Sequence, residues 1–174
     1  FYELEMFMAN WAAEINRKNF YEFNVAHEYE KIRDLYNVLM MSEGYNPLIG
    51  RVELFLNEPD TMIFTKNGYT YIGDEEKTSG YNHLLANNKT LFWEDSHTSI
   101  EQGYQNRYAP LSLVHQLDNH LFNPFGALIA FIDREKMANF LQSPYEDGSV
   151  FLLHGDNEWL FGEEGQSEPQ PLQT

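Results

Sequence analysis

The hydrophobic period of this chain changes at Asn46, and that change restricts the folds open to it. Upstream, Leu4, Phe7, Met8, Trp11 and Ile15 recur at helical spacing, which predicts an amphipathic helix. A second stripe of Tyr29, Ile32, Leu35, Tyr36 and Leu39, with Glu28, Lys31 and Asp34 directed away, predicts another. Gly44 and Asn46-Pro47 are expected to stop it, glycine suiting a helix C-terminal cap and proline being unable to continue a helix. Met6, Met8, Met40 and Met41 fall within these helices and are read as core. Downstream the period becomes two. Val52, Leu54 and Leu56 alternate with Arg51, Glu53 and Asn57, the pattern of a half-buried strand.

Strand signals then continue. Thr61 to Lys66 and Tyr69 to Ile72 flank Asn67-Gly68, a pair that tolerates positive φ and favours a tight hairpin. Asp74 to Asn88 reads as a short helix with Leu84 and Leu85 inward, and Gly80 as its weak point. The polar stretch after Leu91-Phe92-Trp93, through Gln105, reads as a loop. Strands are expected at Tyr108 to Leu117 and Gly126 to Ile132, joined by a hairpin connection over Asn119 to Pro124. Asp133 is placed to cap a helix containing Met137, Phe140 and Leu141. Val150 to Leu153 and Glu158 to Phe161 form a second hairpin pattern, and the acidic, Gln- and Pro-rich tail from Glu163 is expected to be mobile. Helices first, then mainly antiparallel strands with a helix inserted, indicate an α+β domain on one sheet. The N-terminal helices would cover one face; the inserted helix, the loop and a ligand would occupy the other.

Composition removes several function classes. With 27 acidic and 11 basic residues the formal net charge is −16, which repels phosphate backbones, so this piece is not expected to bind nucleic acid. The absence of cysteine excludes disulfides, thiolate metal sites and thiol nucleophiles. His27, His83, His97, His115, His120 and His154 show no i, i+4 pair and no HExxH, so neither a metal nor another cofactor is expected. There is no G-x-S-x-G elbow and no phosphate-cradling glycine loop, and the adjacent Glu94 and Asp95 would not flank one glycosidic bond, so no enzyme activity is expected. The chain opens inside an amphipathic run at Phe1, as a piece of a longer protein would.

The order of segments from Asn46 onward resembles the extracytoplasmic Cache (PAS-like) sensor domains of bacterial sensor histidine kinases and membrane-bound AraC-type regulators. The residues that carry the resemblance are Asn46-Pro47-Leu48-Ile49, Val52 to Leu56, Gly68-Tyr69-Thr70-Tyr71, Leu91-Phe92-Trp93 and Gly126 to Asp133 with the helix at Met137. It implies N-terminal helices over residues 1–45 packed on a mainly antiparallel PAS-like sheet with an inserted helix and loop over 46–145. Residues 146–174 would hold a hairpin that opens a membrane-proximal lobe, followed by a mobile tail. The function implied is extracellular sensing of a small molecule by a membrane-anchored receptor, with a homodimer through the N-terminal helices. The alternative is a non-catalytic dimerisation or interaction module whose pocket is filled by its own side chains.

Ligand-binding candidates follow from these readings. Trp93 would either wall the pocket or pack the inserted helix onto the sheet. Tyr69 and Tyr71 share one strand face and point together, either into the pocket or to solvent. Tyr108, Ser112 and His115 begin the strand nearest the expected site, and Asp133 either caps its helix or contacts the ligand. In the branch of the family that binds amino acids, an arginine two positions before the tryptophan holds the ligand carboxylate. Here that position is Leu91, and Pro110 stands where an aspartate is expected, although Tyr108 and Asp133 match. Lys89 or Arg107 would then have to take the carboxylate.

Overall fold

A computed structural model describes residues 2–20, 27–57, 60–73, 75–95, 108–118, 123–142, 150–154, 157–161 and 170–171. The expected loop through Gln105, most of the Asn119 to Pro124 connection and most of the acidic tail lie outside the described residues. The chain divides into two compact units, Phe1–Asp133 and Arg134–Thr174.

The first unit opens with α1 (Tyr2–Arg17) and α2 (Tyr29–Tyr45). Then come strands β1 (Ile49–Leu56), β2 (Met62–Thr65) and β3 (Gly68–Tyr71), helix α3 (Glu75–Leu85), and strands β4 (Leu91–Asp95), β5 (Tyr108–Asp118) and β6 (Pro124–Asp133). The six strands form one sheet in the order β3-β2-β1-β6-β5-β4, antiparallel at every junction. The expected α+β architecture is therefore the observed one. The second unit holds α4 (Arg134–Gln142) and strands β7 (Val150–His154), β8 (Asn157–Phe161) and β9 (Gln170–Pro171), paired antiparallel in that order. The β7–β8 hairpin matches its sequence pattern. Within the tail, Gln170 and Pro171 pair with Glu158 and Asn157 of β8.

Helices α1 and α2 lie against one sheet face, α1 over β5 and β6 and α2 over β1 and β2. They bury Leu4, Met8, Ala12 and Ile15 from α1 and Ile32, Leu35 and Leu39 from α2, facing Val52, Leu54, Phe64, Leu113 and Leu128 of the strands. Lys18 Nζ donates to Asp34 Oδ2 at 2.8 Å, joining the two helices and holding the Asp34 carboxyl below its usual range. Four residues read as core from their spacing are instead exposed: Tyr29, Met6, Met40 and Met41. These four lie on the helix faces turned away from the sheet, outside the buried stripes of Leu4, Met8, Ala12 and Ile15 and of Ile32, Leu35 and Leu39. Nor does Gly44 end α2. The helix runs to Tyr45, and Asn46, extended at φ −115 and ψ 126, stops it, because a residue before proline is driven out of the helical region. Its side-chain Oδ1 then accepts the Leu48 N–H at 2.9 Å.

The central strands are buried on both faces. Arg51 and Glu53, read from the alternation as the solvent side of β1, point instead to the side covered by α3, and Glu53 is only 1% exposed. A strand between two covered faces loses its polar edge, and only the covering helix shows this. Strands pack closely at Gly126, opposite Leu56 and Leu117. A Cβ there would collide with the Phe55 carbonyl oxygen and stand 3.0 Å from Leu56 Cδ2. Gly126→Ala is therefore expected to lower stability by about 1–3 kcal/mol, as overpacking against backbone does, measured by urea unfolding.

Candidate functional site

Strand register assigns every candidate to a face. Across β1, β6, β5 and β4, Arg51, Phe131, Ser112 and Glu94 form one row, and Glu53, Ile129, Val114 and Phe92 form the next. Both rows lie on the α3 side, because directly paired residues of an antiparallel sheet share a face. A third row of Ile63, Phe55, Ala127 and Gln116 completes that side.

Helix α3 closes over the second and third rows. Its Tyr81 stacks on Phe55, ring centroids 4.8 Å apart at 19°, and Leu84 is buried in the same apolar cluster with Phe92, Val114 and Ile129. Gln116 fastens its C-terminal end, Nε2 donating to the carbonyls of Leu84 at 2.7 Å and Asn87 at 2.9 Å. The apolar half of the face is thus filled by the protein's own side chains.

The other end is polar. Arg51 forms an ion pair with Glu53, two residues on in the same strand, and Tyr81 donates its hydroxyl to Glu53 Oε2 at 3.0 Å. In the next row outward Ser112 is buried and reaches the Glu94 carbonyl at 3.4 Å, while His83 Nε2 of α3 lies 3.2 Å from Glu94 Oε1. Asp133 ends β6 one row further out, buried, opposite Tyr108 of β5 in the register. Its backbone N–H donates to the Leu48 carbonyl at 2.8 Å. Guanidinium, carboxylates, hydroxyls and an imidazole therefore line one end of an apolar face, an arrangement that can orient a small polar molecule by hydrogen bonds. Among the described residues no three His, Asp or Glu side chains stand together as metal ligands, and no described helix is long and apolar enough to cross a membrane.

The seven candidate residues are divided by this geometry. Ser112 and Asp133 lie at the polar end, and Tyr108 sits beside them in the register, its side chain outside the described set. Tyr69, Tyr71, Trp93 and His115 fall on the opposite, helix-covered face. Trp93 pairs with Leu113 and donates its indole N–H to Glu5 of α1 at 2.9 Å. His115 pairs with Leu91 and Leu128. Tyr69 and Tyr71 are exposed at the sheet edge, Tyr69 beside Phe64 of β2. Ser112 and His115 are three residues apart on one strand, an odd spacing that sends them to opposite faces. Leu91 shares the helix side with Trp93 and His115. The residues that sequence reasoning left out are Arg51, Glu53, Tyr81, His83 and Glu94. One signal for the first two was available: Arg51 and Glu53 share their parity with the large apolar Phe55, which a solvated face would not carry.

His115 has a consequence of its own. Burial pushes its imidazole below the ordinary value of 6.5, against smaller opposing effects of the Gln116 carbonyl, 2.7 Å from Nδ1, and of the Asp118 charge. The folded protein binds this proton more weakly than the unfolded chain does. The associated stability is therefore complete above the ordinary value and is lost as pH falls through the depressed one. The urea midpoint is expected to fall across that window, and His115→Asn to flatten the fall.

No family model matches the sequence, and no curated protein does. Solved structures do. The sensory domain of the Campylobacter jejuni chemoreceptor Tlp3 (CcmL) aligns with a TM-score of 0.58 at 14% identity, over 84% of this chain and 57% of that one. The same domain with isoleucine bound gives 0.54 at 12% identity, over 90% and 76%. The periplasmic sensory domain of the chemoreceptor Tlp1 from the same organism gives 0.58 at 10% identity, over 91% and 65%. The fold is that of these sensory domains. In two of the three alignments the chain spans less than two thirds of the matched structure's length.

Proposed function

We propose that this chain is the extracytoplasmic ligand-sensing part of a membrane-anchored signalling receptor and binds a small molecule at the polar end of the α3-covered sheet face. The observation that carries the reading is the Arg51–Glu53–Tyr81 network, sunk beside Ser112 and Asp133 in an otherwise apolar face. Burying an ion pair seldom stabilises a fold more than apolar residues of the same volume would, and such groups concentrate where a site needs them. The shared fold supports the reading, since the matched domains are sensory and one of them holds isoleucine. In this site Ser112, Asp133 and Tyr108 keep their ligand-binding assignment and are joined by Arg51, Glu53 and Tyr81. Trp93 and His115 support the helix layer. Nothing in the arrangement calls for catalysis. The resemblance to sensor kinases and AraC-type regulators supports a cytoplasmic kinase or DNA-binding output in the parent protein, with the second unit opening a membrane-proximal lobe.

The test is a thermal-shift screen of the chain with amino acids, amines, carboxylates and sugars, since a ligand that binds only the native state raises its melting point. A compound that raises it should lose its effect in Arg51→Met and keep it in Trp93→Ala. A response lost in Trp93→Ala and intact in Arg51→Met would move the site to the helix face. A second reading has its own support: Tyr81 and Leu84 of α3 already fill most of the face, as a non-catalytic interaction module would require. A screen with no response would favour it.

A further inference from the structure

Strand β4 stands between the proposed site and the first helix. It ends the sheet and, among the described residues, pairs with β5 alone. Its two faces meet two different helices. Phe92 packs with Tyr81 and Leu84 of α3 in one apolar cluster, and Glu94 Oε1 lies 3.2 Å from Nε2 of His83 on the same helix. Trp93, between them in sequence, turns to the other face and donates its indole N–H to Glu5 of α1 at 2.9 Å. The Glu94 carbonyl also accepts the Ser112 hydroxyl at 3.4 Å, so the strand touches a residue assigned to the ligand.

The two ends of β4 are held differently. Residues 86–90 alone separate it from α3, and Gln116 of β5 pins that connection. Its side chain donates to the carbonyls of Leu84 and Asn87, and its backbone N–H to the Thr90 carbonyl at 2.8 Å. The Glu94 end has only the β5 ladder, the longer Ser112 contact and the partly exposed His83 pair among its printed contacts. The seat of α1 is firmer, on β5 and β6, each paired on both sides. We propose that β4 couples α3 to α1: a shift of α3 over the polar end swings the Glu94 end of β4 about its pinned start and moves Trp93 against Glu5. The hold on the first turns of α1 then changes with the state of the site. Such coupling needs a connected run of contacts and a part free to shift, and β4 supplies both. As a route for a ligand signal it rests on the small-molecule site proposed above.

The coupling is measured without any ligand, so its failure and the failure of the ligand reading are separate results. His83→Asn, close to histidine in helix propensity and too short to reach Glu94, releases β4 from α3 at that point. Amide exchange is then followed in α3, in Met6 to Ala12 of α1, and in α2, which sits on β1 and β2 away from β4. Exchange in α3 and α1 is expected to rise about two- to fivefold, the span that loss of a partly exposed ion pair allows, with α2 unchanged. In a Trp93→Phe background, which keeps an aromatic ring but lacks the indole N–H, His83→Asn should still loosen α3 and no longer loosen α1. A Glu5→Ala background should behave in the same way. If His83→Asn leaves α1 unchanged in the parent, or loosens it equally in all three backgrounds, the proposal is overturned. In the second case the effect would travel through β5 and not through the indole contact.

Discussion

Glu53→Ala is expected to destabilise the protein by about 3 kcal/mol, because it removes a buried carboxylate that both the Arg51 guanidinium and the Tyr81 hydroxyl engage. The Arg51 guanidinium, its side chain 23% exposed, and the buried Tyr81 hydroxyl would both lose this acceptor. Glu53→Gln keeps an oxygen for Tyr81 and is expected to cost clearly less. Urea unfolding followed by tryptophan fluorescence measures both. If the alanine variant matched the parent in stability, the network would not be closed in solution, and the ligand site built on it would lose its foundation. Local opening of α3 can be separated from global unfolding by amide exchange: Tyr81 and Leu84 should exchange faster in Glu53→Ala than residues of β5 and β6.

Phe55→Ala is expected to have the largest effect of any single change on the α3 side, about 3–5 kcal/mol. Phe55 is fully buried and lies under Tyr81 in a stacked pair. Its loss removes the ring and leaves a cavity between β1 and α3 that neighbouring strands, fixed by their hydrogen bonds, will not close. The size of the loss matters less than its distribution. If α3 covers the site as described, Phe55→Ala should also weaken any ligand response found with the parent, because Tyr81 would no longer hold its place over Glu53. Phe64→Ala, on the helix side, is a control of similar bulk that should lower stability while leaving the ligand response intact. Equal loss of the response in both variants would mean that the binding face is not confined to the α3 side.

Much of the fold was legible in the sequence because its signals are local. A change from helical to alternating period marks the boundary near Asn46, Asn67-Gly68 marks the β2–β3 turn, and the unbroken apolar run of Gly126 to Ile132 marks a central strand. Each depends on spacing within a few residues. The candidate site was less legible, and for a definite reason. Alternation divides a strand's residues into two sets, but it does not say which set faces which layer. Tyr69, Tyr71, Trp93 and His115 were grouped with Ser112 and Asp133 as residues that could surround a ligand, and the register separates them.

What the sequence by itself determined is the order and kind of the elements, the antiparallel sheet plan of the first unit, and the pairing of Tyr69 with Tyr71 on one face. What only the tertiary structure decided is which helix covers which face. Once α1 and α2 took the side of Val52 and Leu54, parity left Arg51, Glu53 and Phe55 to α3. Polar residues that looked solvated were then buried beside Ser112 and Asp133. The physical reason is that side-chain direction in a strand is fixed by the backbone, whereas burial is set by what packs on each face from far along the chain. Trp93 is held by Glu5, 88 residues away, and no local pattern in the sequence contains that contact.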